Sequence, residues 1–114
     1  MISKVSIVRG TTDVLDIVLN DENGAVYEIV DGERVVFGVK CDTDDADFIL
    51  LKTAEFLADK GVYEVRFAPE DTADLGCREY VYDVALQSGV NFFNIIEASP
   101  FIVKPNVTTK GCIQ

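Results

Sequence analysis

Histidine and tryptophan are both missing from this sequence of 114 residues, and basic side chains are scarce. Without histidine the chain lacks the usual general base, the commonest metal ligand and the side chain that titrates near neutrality. Ten Lys and Arg stand against twenty Asp and Glu, a formal charge of −10. No Lys/Arg cluster interrupts that balance. It disfavours a nucleic-acid backbone, whose affinity comes from cations that displace counterions, and it disfavours an anionic lipid surface. The expectation is therefore no nucleic acid and no membrane as partner. No apolar run reaches a membrane-spanning length, and residues 1–9 lack the apolar stretch of a signal peptide. The chain is expected to be made in the cytoplasm without such a signal.

Cysteine is rare as well. Cys41, Cys77 and Cys112 are far apart and no C-x-x-C pair occurs, so zinc and redox readings are weak and reduced thiols are expected. Cys41 continues the row Val35, Phe37, Val39 and reads as a small buried apolar side chain. No internal repeat, low-complexity stretch or Pro/Gly/Ser-rich linker is present. The length suits one domain, expected over residues 1–106, with a mobile tail over 107–114. Nearly half of the residues are apolar (48%) and a quarter are charged (26%), the composition of a globular chain able to build one core without staples.

The apolar residues recur with period two almost throughout, which is the strand rhythm. Val5 and Ile7, then Leu15, Ile17 and Leu19, alternate with more polar neighbours. Asp21-Glu22-Asn23-Gly24 and Asp31-Gly32 read as turns. Residues 25–29 read as a short strand or an extended connection. A strand over 33–41 points Val35, Phe37, Val39 and Cys41 inward, and another is expected over 48–56, with a helix as the weaker reading. After a turn at Asp59-Lys60-Gly61, residues 62–68 form a strand with Tyr63, Val65 and Phe67 on one face.

Residues 69–86 are the most informative stretch. Pro69 fixes the entry to a short helical turn near residues 69–75. Asp71 or Thr72 can accept hydrogen bonds from its free amides, and Gly76 suits a stop with positive φ. The turn leads into a strand over 78–87, with Tyr80, Tyr82, Val84 and Leu86 on one face and Val81, Asp83 and Ala85 on the other. Ser88-Gly89 closes a hairpin onto residues 92–98, and residues 101–104 extend an edge after Ser99-Pro100. Sequential hairpins imply antiparallel pairing. The fold class expected is all-β: an antiparallel β-sandwich of about seven or eight strands with one short helical turn.

No residue pattern predicts catalysis. Serines without histidine make no triad, the glycines form no phosphate-cradling loop, and one carboxylate without a placed partner is no glycosidase pair. Asp42, Asp44, Asp45 and Asp47 could offer hard oxygen ligands to calcium. Their spacing fails the helix-loop-helix pattern, with Asp47 at the glycine position and Thr53 at the bidentate glutamate position, so they read as a solvated loop. No catalytic, cofactor-binding or metal-ligating residue is assigned, and the chain is read as a non-enzyme. Asp83, between apolar neighbours, is a candidate half-buried carboxylate with a raised pKa, or one that points outward or accepts hydrogen bonds from a nearby loop. Asn106-Val107-Thr108 fits the glycosylation pattern but carries no weight without an export signal. The aromatics Tyr27, Tyr63, Tyr80, Tyr82, Phe92, Phe93 and Phe101 read as core more than as a sugar platform. Phe92-Phe93 is the exception, because adjacent strand residues face opposite sides and one is expected to be exposed to a partner.

Two resemblances follow. Glu70-Asp71-Thr72-Ala73 resembles the strand-joining corner of immunoglobulin variable domains, though the missing tryptophan and the positions of Cys41 and Cys77 argue against an antibody-type domain. More of the chain resembles small immunoglobulin-like modules of tailed phages and Gram-positive prophages, similar to the N-terminal domain of siphophage upper baseplate proteins. The resemblance rests on Val8-Arg9-Gly10-Thr11-Thr12, Asp21-Glu22-Asn23-Gly24, Val35-Val36-Phe37-Gly38-Val39-Lys40, Pro69-Glu70-Asp71-Thr72 with Leu75, Tyr80-Val81-Tyr82-Asp83-Val84, and Phe101-Ile102-Val103-Lys104 with Val107-Thr108. Extra residues in Gly76-Cys77-Arg78-Glu79-Tyr80 depart from the more usual Gly-x-Tyr spacing. The resemblance implies a non-enzymatic structural module of the virion, in tail or baseplate, that docks other virion proteins or further copies of itself. A carbohydrate-binding or adhesin-type module is the alternative.

Overall fold

The computed structural model describes residues 4–105. In chain order the elements are β1 (Val5–Val8), β2 (Asp13–Ile17), β3 (Glu33–Lys40), β4 (Leu50–Leu57), β5 (Val62–Phe67), α1 (Pro69–Thr72), β6 (Glu79–Ser88) and β7 (Asn91–Lys104). The seven strands hydrogen-bond in the order β1-β7-β6-β3-β4-β5-β2. Neighbours are antiparallel except β1 and β7, which run parallel with Val5 opposite Phe101. The protein is mostly β, as the period-two rhythm requires, but the sheet is mixed. Hairpin logic could not foresee the parallel pair, because it joins the first strand to the last.

β4 divides the ladder. Its first half pairs with β3, Val35 opposite Ala54, and its second half with β5, Glu55 opposite Glu64. β1 and β2, the two ends of the strand order, are consecutive in the chain and joined by residues 9–12. The sheet therefore curls until its ends come back toward each other. Gly10 N–H donates to Thr72 Oγ1 at 2.8 Å and fastens that connection to α1.

The alternation sends one row from each strand inward. Ile7, Ile17, Val35, Phe37, Val39, Tyr63, Val65, Phe67, Tyr80, Tyr82, Val84, Phe101 and Val103 are buried together. Phe37 lies at the centre: its ring stacks on Tyr82 at 5.1 Å and meets Phe67 and Phe101 edge-on at 5.4 and 5.9 Å. Such pairs add stability beyond the area they bury. Residues 25–29 form no strand; a single bridge joins Asn20 and Val26. The connection is pinned from below by Tyr63, whose hydroxyl donates to the Tyr27 carbonyl and accepts from Ile29 N–H.

The strand reading of residues 48–56 holds, shifted to Leu50–Leu57, and Phe48 lies ahead of it. Residues 92–98 and 101–104 are one continuous strand of 14 residues rather than two. Pro100 is accommodated because β1 begins to pair only at Phe101, so the missing N–H falls on an open edge. Gly76 does not adopt positive φ. The helix, expected over 69–75, already ends at Thr72 with Ala73 as its cap, and the Gly76 carbonyl accepts the Tyr80 hydroxyl at 2.8 Å. The thiols are corrected too: Cys41 is free and half-buried against the core, whereas Cys77 is disulfide-bonded. Pairing depends on distance in the fold, which sequence spacing does not reveal. The expected tail over 107–114 and the Asn106-Val107-Thr108 pattern lie outside the described residues.

α1 is too short to stand alone and is held by side chains. Asp71 accepts from Ala68 N–H at 2.8 Å and from Lys52 Nζ, on β4, at 2.8 Å. Burial pushes the Asp71 carboxyl up, but the Lys52 and Ala68 hydrogen bonds and the lysine charge outweigh it, leaving the group below its ordinary 3.8. A carboxyl depressed by folding stabilises the native state above the unfolded value, and that contribution is lost as pH falls through the folded value. Asp71→Asn should cost about 1–2 kcal/mol at pH 7 and less at about pH 2, because the charge contribution is lost as pH falls through the folded carboxyl's value, below 3.8. Urea unfolding at both pH values checks this, and an equal cost at both would show that the charge is not what matters.

Candidate functional site

With the inward rows consumed by the core, any site must lie on the outward rows, the strand edges or the connections. One outer face stands out. On β3 the outward row is Val36, Gly38 and Lys40; on β6 it is Val81, Asp83 and Ala85. Gly38 is opposite Asp83 in the ladder. The Phe48 ring, delivered by the connection before β4, lies on Gly38 so closely that a Cβ there would sit 2.4 Å from Phe48 Cε1. Glycine in a strand interior weakens it unless something must approach the backbone, and here the ring is what approaches.

Phe48 thereby forms a ridge with a depression on each side. One, about 170 Å³, is lined by Lys40, Thr43, Val81, Tyr82 and Ala98. The other, about 180 Å³, is lined by Val36, Ala85, Phe92 and Asn94. Gly38, Phe48 and Asp83 line both, so the two are lobes of one shallow groove. Lys40 Nζ sits 4.7 Å from the centroid of the Phe48 ring, a cation–π distance.

Asp83 is half-buried on the groove floor. Burial pushes its carboxyl above the ordinary 3.8, and the charge of Lys40 offsets this only in part. No hydrogen bond or ion pair reaches its carboxylate among the described residues. The half-buried carboxylate with a raised pKa is found; it also lies on the outward row, as the alternative reading had it, but without the hydrogen bonds from a nearby loop among the described residues. A group that destabilises the fold without a structural partner is a functional candidate.

The second feature adjoins the groove. β7 pairs with β6 from Asn91 to Ile102, with register shifts on either side of Val84, but β1 covers its other edge only from Phe101 to Lys104. Among the described residues nothing pairs with the outer edge of residues 91–100. Phe92 and Phe93 are both exposed, by 63% and 56%, and Val90 at the turn by 91%. The sequence led us to expect one exposed ring. Phe92 lies on the groove side, whereas Phe93 shares the inward row with Leu86 but sits at the open end of the sheet. The edge is thus flanked by an aromatic ring on each side. Residues 92–96 (Phe, Phe, Asn, Ile, Ile) contain no charge and no proline, the devices that keep edges from pairing. β2, at the far end of the sheet, is shorter and carries Asp13 and Asp16.

The other aromatics named from the sequence are accounted for by the core. Tyr63, Tyr80, Tyr82 and Phe101 are buried, and Tyr27 is half-buried with its hydroxyl donating to Glu33 at 2.8 Å. Residues 42–47 form an exposed loop beside the groove, and among the described residues no cluster of acidic or cysteine side chains could hold a metal ion. Lys40, Thr43, Phe48 and Asn94 were not foreseen as site residues. Their one signal was Gly38, a glycine interrupting an otherwise β-forming strand. No helix among the described residues is long and apolar enough to cross a membrane. No protein-family model matches the chain, and no curated protein does.

Because Asp83 is harder to ionise in the folded state than in the unfolded one, its charge lowers stability at neutral pH. That cost vanishes where both states are protonated. Asp83→Asn should therefore raise stability at pH 7, by less than about 1 kcal/mol given solvent screening, and leave it unchanged below pH ~3. Thermal melts at both pH values test this, and a loss of stability at pH 7 would mean that the carboxylate has a structural partner.

Proposed function

We propose that this chain is a non-enzymatic docking module that recruits a partner protein by adding one of the partner's strands to the open edge of β7. The carrying observation is residues 91–96: a strand edge that no second strand pairs with among the described residues, flanked by Phe92 and Phe93. Strand addition uses main-chain hydrogen bonds for affinity and alternate side chains for specificity. An exposed ring on each side would grip alternate residues of the incoming segment.

The finer architecture belongs to the same proposal. The division of the ladder at β4, the crossing from β5 through α1 into β6, and the Tyr80 hydroxyl bonded to the Gly76 carbonyl support an immunoglobulin-like sandwich. Together with the sequence resemblance, they favour a structural module of a phage or prophage virion, in tail or baseplate. Such a module would be made in the host cytoplasm and assembled onto other virion proteins or further copies of itself. The charge of −10 would keep the free subunit apart from its own copies before assembly.

The groove favours no enzymatic reading, since it offers one carboxylate and one ammonium with no nucleophile–base pair. The carbohydrate-binding alternative has the Phe48 ring beside polar groups in its favour. Against it, Tyr63, Tyr80, Tyr82 and Phe101 are buried in the core and offer a sugar no platform.

The experiment is calorimetric titration of the purified chain with the products of the genes adjacent to its own. At least one should bind, and Phe92→Ser and Phe93→Ser should each weaken that binding by about tenfold or more. Val14→Ser, an exposed position on β2, should leave it unchanged. Binding indifferent to both phenylalanines, or lost with Val14→Ser, would overturn the docking edge.

A further inference from the structure

The groove lies beside the open edge, and only β7 separates them. A strand added beyond β7 would run two strand spacings from β6, about 10 Å. A long side chain could cross that gap over the outer face of β7. The β7 residues lining the groove are Phe92, Asn94 and Ala98, and the latter two are small enough to leave a low wall. Beyond that wall lies Asp83, half-buried and unmatched.

Several features bear on what such a side chain would be. The floor carries a carboxylate with no hydrogen bond or ion pair among the described residues. Phe48 and Phe92 supply aromatic surface. Thr43 lines the groove from the loop that also carries Asp42, Asp44, Asp45 and Asp47, all exposed. Against these five carboxylates the groove lining sets, among the described residues, one cation, Lys40, which sits against the Phe48 ring. The local field is thus negative, as is that of the whole chain, and a cleft with low-dielectric walls focuses such a field. A guanidinium suits these features better than an ammonium. It is planar, stacks on aromatic rings, binds a carboxylate through two parallel hydrogen bonds and is less strongly hydrated.

We propose that the groove between Phe48, Asp83 and Asn94 receives an arginine side chain from the segment that docks on β7. The inference rests on the docking reading for its source of arginine, but it can be tested without any strand being added. The floor carboxylate takes the guanidinium, the Phe48 ridge packs along its plane, and the aspartates of residues 42–47 raise its rate of encounter. The docking partner is accordingly a polypeptide with an extended, basic segment.

The test is a titration of the isotope-labelled chain with Nα-acetyl-arginine amide, followed by backbone amide shifts. Saturable shifts at Gly38, Phe48, Asp83 and Asn94 are expected, weakening as salt is added. Nα-acetyl-citrulline amide, which keeps the shape and lacks the charge, should bind about tenfold more weakly or not at all. Asp83→Asn should abolish the arginine shifts. Gly38→Ala, which must displace the Phe48 ring while leaving Asp83 in place, should weaken them at least about threefold. Folding of each variant is read from the same spectra. Absence of saturable shifts, equal shifts with citrulline, shifts that survive Asp83→Asn, or saturation of the same amides by a neutral methyl glycoside instead would overturn the proposal. Arginine binding without any strand-adding partner would sink the docking reading and leave the groove assignment standing.

Discussion

The Phe37 ring touches Phe67, Tyr82 and Phe101, and those contacts tie together four strands from both parts of the ladder. β3 and β6 are neighbours and would pair regardless. β5, however, lies beyond β4, and only the curl of the sheet brings Phe67 against Phe37 and Phe101. The aromatic contact is therefore what bends one ladder around a common interior. Once the sheet is bent, parity does the rest: every second residue must be apolar, and the intervening ones are released from any packing duty.

That release decides where function can reside. The outward row of β3 and β6 carries a glycine, a lysine and an aspartate, none of which the core needs. Gly38 gives up strand propensity so that Phe48 can lie on the backbone, and Asp83 lowers stability where a neutral residue would raise it. Two local departures from what the fold prefers, opposite each other on adjacent strands, are the expected trace of a site. The first half of the β7 edge, residues 91–96, is a third departure, since it has neither the charge nor the proline that Glu97 and Pro100 bring to its second half.

Much of the fold was legible because the period of two is a direct consequence of strand geometry. The inward rows of β3, β5 and β6 follow from Val35-Phe37-Val39, Tyr63-Val65-Phe67 and Tyr80-Tyr82-Val84 without any knowledge of partners. What stayed hidden depends on contacts between distant residues. The parallel pairing of β1 with β7 joins Val5 to Phe101, and the bond at Cys77 is likewise a matter of proximity in space. Gly76 suggested a local rule, positive φ at a helix end, that does not apply because the helix already ends at Thr72 with Ala73 as its cap. The candidate site was legible only at Asp83 and at Phe92-Phe93. Its ridge, Phe48, lies ten residues from Gly38 in a connection whose course no pattern foretold.

Amide hydrogen exchange along β7 in the free chain tests the central claim most directly, because it asks which half of that strand has a second neighbour. On this account amides of residues 91–98 that point away from β6 exchange rapidly. Those of residues 101–103, held between β6 and β1, are protected together with the β6 amides. Uniform protection from one end of β7 to the other would mean that the edge is already covered and not available to a docking strand.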